Sequence, residues 1–192
     1  IPSNTPASEG IFLEILDEIT GLGLNPLRYQ MEPSDLNHYT IRIPLVVGSV
    51  IKYRYTRHGP EPTIEHNARN EPVRYRLFIV EGKSGVNDIV CGWTDQPYEG
   101  NIGRITGHAL DSLTSKPAPN ILITAGGASS ITASDGTFVL DGLSEGTHNI
   151  VAYSMEGEYQ PFQQGAVVAA DSATPTNIEL DSSQYVTVTF MV

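Results

Sequence analysis

Sulfur chemistry and basic charge are what this 192-residue sequence has least of. It holds one cysteine, Cys91. A single thiol gives no internal disulfide, no metal site built from several cysteines and no CxxC redox pair. Lysine and arginine together number 11 against 22 acids, a net charge of −11. The imbalance is uneven. Residues 1–98 carry 9 bases and 12 acids, and residues 99–192 carry 2 bases and 10 acids. Neither part is basic, which argues against nucleic acid and against anionic membrane surfaces as partners. No apolar run approaches the ~18 residues of a membrane span, so no membrane insertion is expected. Tryptophan occurs once, as Trp93. Charged residues make up only 17%, against a globular average near ~25%, which leaves no room for a charged disordered tail. The chain opens on Ile1 with no signal-peptide pattern, and we expect it to be a piece of a longer precursor.

Helix-period patterns are nearly absent too. What is present is a series of short alternating runs bounded by Gly, Pro, Asn and Asp, the signature of sandwiches. In the first part these runs predict strands at 11–16, 27–31, 39–44, 50–57, 73–80 and 89–93. The clearest is 50–57, where Ile51, Tyr53 and Tyr55 share one face and Lys52 and Arg54 the other. A polar joint, Gln96-Pro97-Tyr98-Glu99-Gly100, follows. Beyond it strands are predicted at 103–111, 120–125, 130–133, 137–140, 147–154, 166–169, 177–180 and 185–192. Ser134-Asp135-Gly136 carries a hairpin signal, because glycine tolerates positive φ. The fold class is therefore all-β, as two tandem β-sandwich domains over residues 1–98 and 99–184. Residues 185–192 form an extra alternating run that we expect to belong to a following module or to pair with a neighbouring chain.

The second part resembles the carboxypeptidase regulatory-like domain, a prealbumin-like sandwich of seven strands. The resemblance is carried by Gly103-Arg104-Ile105-Thr106-Gly107, Asp111 and Pro117-Ala118-Pro119-Asn120. It continues in the stretch from Thr132 through Asp135-Gly136-Thr137-Phe138 to Leu140, in Gly142-Leu143, in Gly146-Thr147-His148 and in Ala152-Tyr153. It implies a non-catalytic module. The first part resembles a starch-binding-type carbohydrate module, through Val50-Ile51-Lys52-Tyr53-Arg54-Tyr55-Thr56-Arg57, Glu65, Arg76-Leu77-Phe78-Ile79-Val80, Asn87-Asp88-Ile89-Val90 and Trp93-Thr94-Asp95. Such modules grip sugar rings on exposed Trp or Tyr faces, which implies a polysaccharide partner. Trp93 matches the strand-end tryptophan of that family, a packing position.

For ligand binding the candidates are Tyr159, Tyr98, Tyr29 and Tyr39. A sugar platform needs exposed aromatic faces and nearby amides, and Gln160, Gln163 and Gln164 lie close to Tyr159 in sequence. Tyr153 and Phe162 read as core. Glu65 and Arg76 recur together in the family that the first part resembles, which implies a pair across neighbouring strands that fixes register, with a ligand contact as the other reading. Cys91 reads as a buried small residue. His58 and His66 flank a Pro-rich loop, residues 59–65, where His58, Glu65 and His66 could hold a metal, although solvated loop residues are the simpler reading. Asp141, Glu145, Asp171 and Asp181 are separate turn acids without the spacing of a calcium loop. The histidines show no HExxH and no i, i+4 pair, so no catalytic residue, metal or cofactor is assigned. The expected function is a non-catalytic accessory module, extracellular or at the cell surface, binding carbohydrate. The alternative is a structural spacer or adhesion repeat whose partners are neighbouring modules of the same polypeptide.

Overall fold

The computed structural model describes residues 1–17, 20–59 and 62–191. Among them the regular structure is all strand. In the first part these are β1 (Gly10–Ile15), β2 (Leu27–Gln30), β3 (Glu32–Pro33), β4 (Tyr39–Thr40), β5 (Val50–His58), β6 (Pro62–His66), β7 (Arg76–Ile79) and β8 (Gly92–Trp93). One antiparallel sheet runs β2-β1-β5-β6-β8, and β7 also pairs with β5. A ribbon of β3 and β4 stands apart. Alternation on β5 turns Tyr53 and Tyr55 inward, edge to face with ring centroids 5.9 Å apart. Ile11, Leu13, Phe78, Val80, Val90 and the fully buried Trp93 complete that core.

Three expectations for this part need correction. The strand predicted over 39–44 forms a ladder only at β4, although Tyr39, Ile41, Ile43 and Leu45 still pack alternately against the core. The Pro-rich loop is largely strand β6. Pro62 pairs with His58 at the strand's first position, where a missing N–H is tolerated; Pro60 and Glu61 of that loop lie outside the described residues. Cys91 is only partly buried and precedes β8 rather than lying in a strand.

The second part holds seven strands: β9 (Ile102–Asp111), β10 (Ile121–Ala125), β11 (Ala128–Ile131), β12 (Thr137–Ser144), β13 (Gly146–Ser154), β14 (Phe162–Val168) and β15 (Ala173–Leu180). A four-stranded sheet, β11-β10-β13-β14, packs on a three-stranded one, β12-β9-β15, in which β15 runs parallel to β9. The core between them includes Ile105, Ile121, Ile123, Phe138, Leu140, Leu143, Ile150, Ile178 and Leu180. Gly136 takes the expected positive φ, 77°. The turn closes with hairpin hydrogen bonds, the Gly136 N–H donating to the Ala133 carbonyl and the Ala133 N–H to the Thr137 carbonyl, both at 2.9 Å, but the strands it joins do not stay paired. It carries the chain from β11 in one sheet to β12 in the other, because the apolar faces of the two strands close the sandwich from opposite sides.

Residues 185–191 form no strand. Tyr185, Val186, Val188, Phe190 and Met191 are all exposed, since the seven-stranded body offers them no ladder. Val192, the last residue of that predicted run, lies outside the described residues.

Candidate functional site

The densest polar arrangement is buried beneath β5. On one edge of that strand, β7 pairs over Val50–Tyr53 and β6 over Thr56–His58, so the two lie end to end. The Tyr55 N–H falls between them and donates to Glu65 Oε1 at 2.9 Å. Glu65 therefore closes a gap in the ladder with its side chain. Its carboxylate also accepts from Arg76, with Nη2 to Oε2 at 2.7 Å and Nε to Oε1 at 3.1 Å. The expected pair thus forms, but between strands that lie end to end along β5 rather than side by side. The guanidinium also reaches Asp88 Oδ1 at 3.2 Å and the Ile89 carbonyl at 2.9 Å. Asp88 Oδ2 in turn accepts from the Tyr53 and Tyr55 hydroxyls, at 2.6 and 3.0 Å.

Burial works to lower the Arg76 pKa, and the Glu65 and Asp88 carboxylates overcome it, holding the guanidinium well above its usual value. Burial, followed by the Asp88 charge, pushes both tyrosines well above the phenol range. Each donor here already has an acceptor, so the cluster presents a locked charge network and no free base or nucleophile. Sequence reasoning paired Glu65 with Arg76 but gave Asp88, quoted only within the resemblance, no role.

The proposed metal residues are separated by what they hold. Glu65 turns to Arg76. His66, its neighbour, is buried with Nδ1 on the Asn67 carbonyl at 2.7 Å and Nε2 on the Gln96 carbonyl at 2.8 Å. His58 lies against the Phe12 ring. Burial raises the Cys91 thiol to about 11, and its Sγ–H donates to the His66 carbonyl. The expectation that no G-x-S-x-G elbow is present needs correction as to spacing, since Gly142-Leu143-Ser144-Glu145-Gly146 has it. A nucleophile elbow needs a strand-to-helix turn. Here the stretch joins β12 to β13, and Ser144 is buried, with its carbonyl accepting from His148 Nε2 at 2.8 Å.

The four candidate tyrosines do not form one platform. All are half-buried. Tyr29 lies on β2 opposite Leu13, and Tyr39 packs against the first core. Tyr98 sits in the joint, with its hydroxyl donating to the Asn101 carbonyl. Tyr159 packs against the second core, as does Phe162, while Tyr153 leans on a third apolar cluster described next.

That third cluster joins the two sandwiches. On β7, Phe78 faces the first core while Leu77 and Ile79 face the opposite way, onto Val151 of β13. Val50, Tyr75, Leu122 and Tyr153 pack around them. The Gln163 side chain on β14 grips the β7 edge: its Oε1 accepts from the Ile79 N–H at 3.2 Å and its Nε2 donates to the Ile79 carbonyl at 3.0 Å. An amide is thus substituting for an absent strand. At the other end, Asn67 shapes a tight loop by accepting from the Arg69 and Glu71 N–H groups. The Ala68 N–H of that loop donates to the Gly142 carbonyl at 3.0 Å. Gly142 sits in a β-bulge of β12 with φ of 76°, and Arg69 bonds Asp141 beside it.

Two stacked β-sandwich bodies with a packed joint are thus the class of architecture this chain defines. No protein-family model and no curated protein sequence matches it. Among solved structures it is similar to a minor pilin of the Gram-positive pathogen Streptococcus agalactiae, at 14% identity and a TM-score of 0.39, over 95% of this chain and 87% of the pilin. It is also similar to a group B streptococcus pilus 2b backbone protein, at 10% identity and 0.36, over 95% and 83%. A shaft pilin of Lactobacillus rhamnosus GG gives 9% identity and 0.33, over 93% and 90%. At such identity and score, function has to be read from this chain's own geometry.

Proposed function

We propose that this chain is a non-catalytic structural module, a stiff two-sandwich spacer within a larger extracellular or cell-surface protein. The observation that carries the reading is the joint. A flexible linker would leave the facing surfaces polar and unbonded. Instead, Leu77, Ile79 and Val151 are buried between the bodies, and Gln163 completes the hydrogen bonding of a strand in the other sandwich. Moving one body against the other would expose that apolar surface and break those bonds, so the two resist bending as a unit. A carbohydrate platform has less support, because its aromatic candidates are half-buried and distributed over both bodies.

Backbone 15N relaxation tests the reading. A single rotational diffusion tensor should fit the amides of both halves of the wild-type chain. Gln163→Ala combined with Arg69→Ala should loosen the joint and raise exchange at the Ile79 amide. Two independent tensors in the wild type would rule out the stiff spacer. The proposed setting predicts that antibodies to the chain label intact cells of the source organism.

A further inference from the structure

The two sandwiches differ in how completely they are covered. In the second, sixteen hydrophobic residues are buried in the core and only Tyr159 and Phe162 are partly buried against it. In the first, eight are buried and nine are only partly so. The shortfall has a location. Residues 39–46 alternate half-buried and exposed, as a strand does, with Tyr39, Ile41, Ile43 and Leu45 facing the core. Past Thr40, however, this segment joins no ladder among the described residues. Beside it runs an open groove of about 480 Å³, walled by Leu45 and Val46 on one side and by Ile15, Leu16, Val50 and Ile51 on the other. An extended segment without a ladder next to a mostly apolar groove offers an unpaired backbone beside which an extended peptide can lie.

The same chain carries a strand-forming sequence that joins no sheet. Residues 182–191 contain no charge, no Pro and no Gly. Within them Val186, Val188 and Phe190 alternate with Thr187 and Thr189, a pattern of high β propensity. These apolar side chains are 62–89% exposed. Ser183 N–H to the Glu158 carbonyl and the Tyr185 hydroxyl to the Gly157 carbonyl fix the root of the segment on the second sandwich. Beyond that anchor it stands clear. At a rise of ~3.3 Å per residue, the seven residues 185–191 span ~23 Å, enough to run the length of residues 41–46.

We infer that residues 185–191 of one copy add as a β-strand beside residues 41–46 of a second copy, with Val186, Val188 and Phe190 filling the groove. The segment itself brings no charge into the groove, whose lining is apolar apart from Ser49 and Lys52, so no ion of the incoming strand is desolvated, and the high net negative charge of the rest of the chain disfavours less specific contacts. The contact is head to tail. Each copy keeps one free groove and one free strand, so association continues into open chains rather than closed dimers.

Sedimentation velocity over a wide concentration range tests this with the full chain. The wild type should give a concentration-dependent ladder of species. Val188→Asp/Phe190→Asp should be monomeric, and so should Val46→Asp. Both alter exposed side chains, so melting temperatures should match the wild type. Mixed together, the tail variant offers an intact groove and the groove variant an intact tail. The mixture should therefore form a species of two chains and stop there. A wild type that stays monomeric throughout would overturn the inference. So would association that survives either substitution, or a mixture that remains monomeric. None of these outcomes depends on the stiffness of the joint, so this inference and the spacer reading fail separately.

Discussion

Glu65 accepts from two different strands at once: the backbone N–H of Tyr55 and the guanidinium of Arg76. The ladder on one edge of β5 is therefore continuous only because a buried carboxylate fills the break, and that carboxylate is tolerable only because Arg76 lies against it. Removing one partner leaves the other charged and buried, a change that costs about 3–5 kcal/mol. Arg76→Ala should lower the melting temperature sharply, and Arg76→Lys should not restore it, since an ammonium cannot fork to Glu65 and Asp88 together. Thermal unfolding followed by circular dichroism measures both. An unchanged melting temperature for Arg76→Ala would show that the network is ornamental.

Alkaline titration reads the same network from its hydroxyls. The pKa values of Tyr53 and Tyr55 are raised well above 10.0, first by burial and then by Asp88. In the unfolded chain both would ionise near the ordinary value, so at higher pH the unfolded state holds fewer protons than the folded one. Their contribution to stability is complete below about pH 10 and is lost as pH rises toward the folded values. Absorbance at 295 nm should show two of the nine tyrosines silent until the chain unfolds. Tyr53→Phe/Tyr55→Phe should remove the silent pair and lower neutral-pH stability, each lost bond to a carboxylate being worth about 1.5–3 kcal/mol.

How much of this was legible in the sequence depended on whether residues acted locally. Alternation on β5 and on most strands of the second part gave the two-sandwich fold. Glu65 and Arg76 stood out because they recur together in the family that the first part resembles. Asp88 came with no such partner, and β6 was hidden by prolines at its entrance. The joint left a signal that went unused. Leu77-Phe78-Ile79-Val80 and Ile150-Val151-Ala152 are unbroken apolar runs, and an unbroken run marks a strand covered on both faces. Each of these strands does pack on two sides, one toward its own core and one across the joint. What no linear pattern could show is that Gln163 would bond a backbone 84 residues away.

Thiol chemistry should be suppressed in the folded protein. With the Cys91 pKa raised from 9.0 to about 11 by burial, the thiolate fraction at pH 8 falls by about a hundredfold relative to an unperturbed side chain, and alkylation slows with it. Iodoacetamide labelling followed by mass spectrometry should be slow in buffer and rapid in denaturant. Rapid labelling of the native chain at pH 8 would contradict the environment described for Cys91.

Gly107 offers a test of the second sandwich alone. It sits in β9 opposite Phe138 on one side and Thr176 on the other. A Cβ built there would lie 1.6 Å from the Thr176 carbonyl oxygen, far inside any contact distance, and that oxygen belongs to a backbone held by its own parallel ladder. Neither strand can shift without breaking the three-stranded sheet. Gly107→Ala should therefore cost at least the upper end of the ~1–3 kcal/mol typical of overpacking, and the damage should be local to β9 and β15. Hydrogen exchange should show amides of β15 losing protection while those of β1 and β5 in the first sandwich retain theirs. Full protection of β15 in this variant would mean that the parallel strand is not held as tightly against β9 as its register requires.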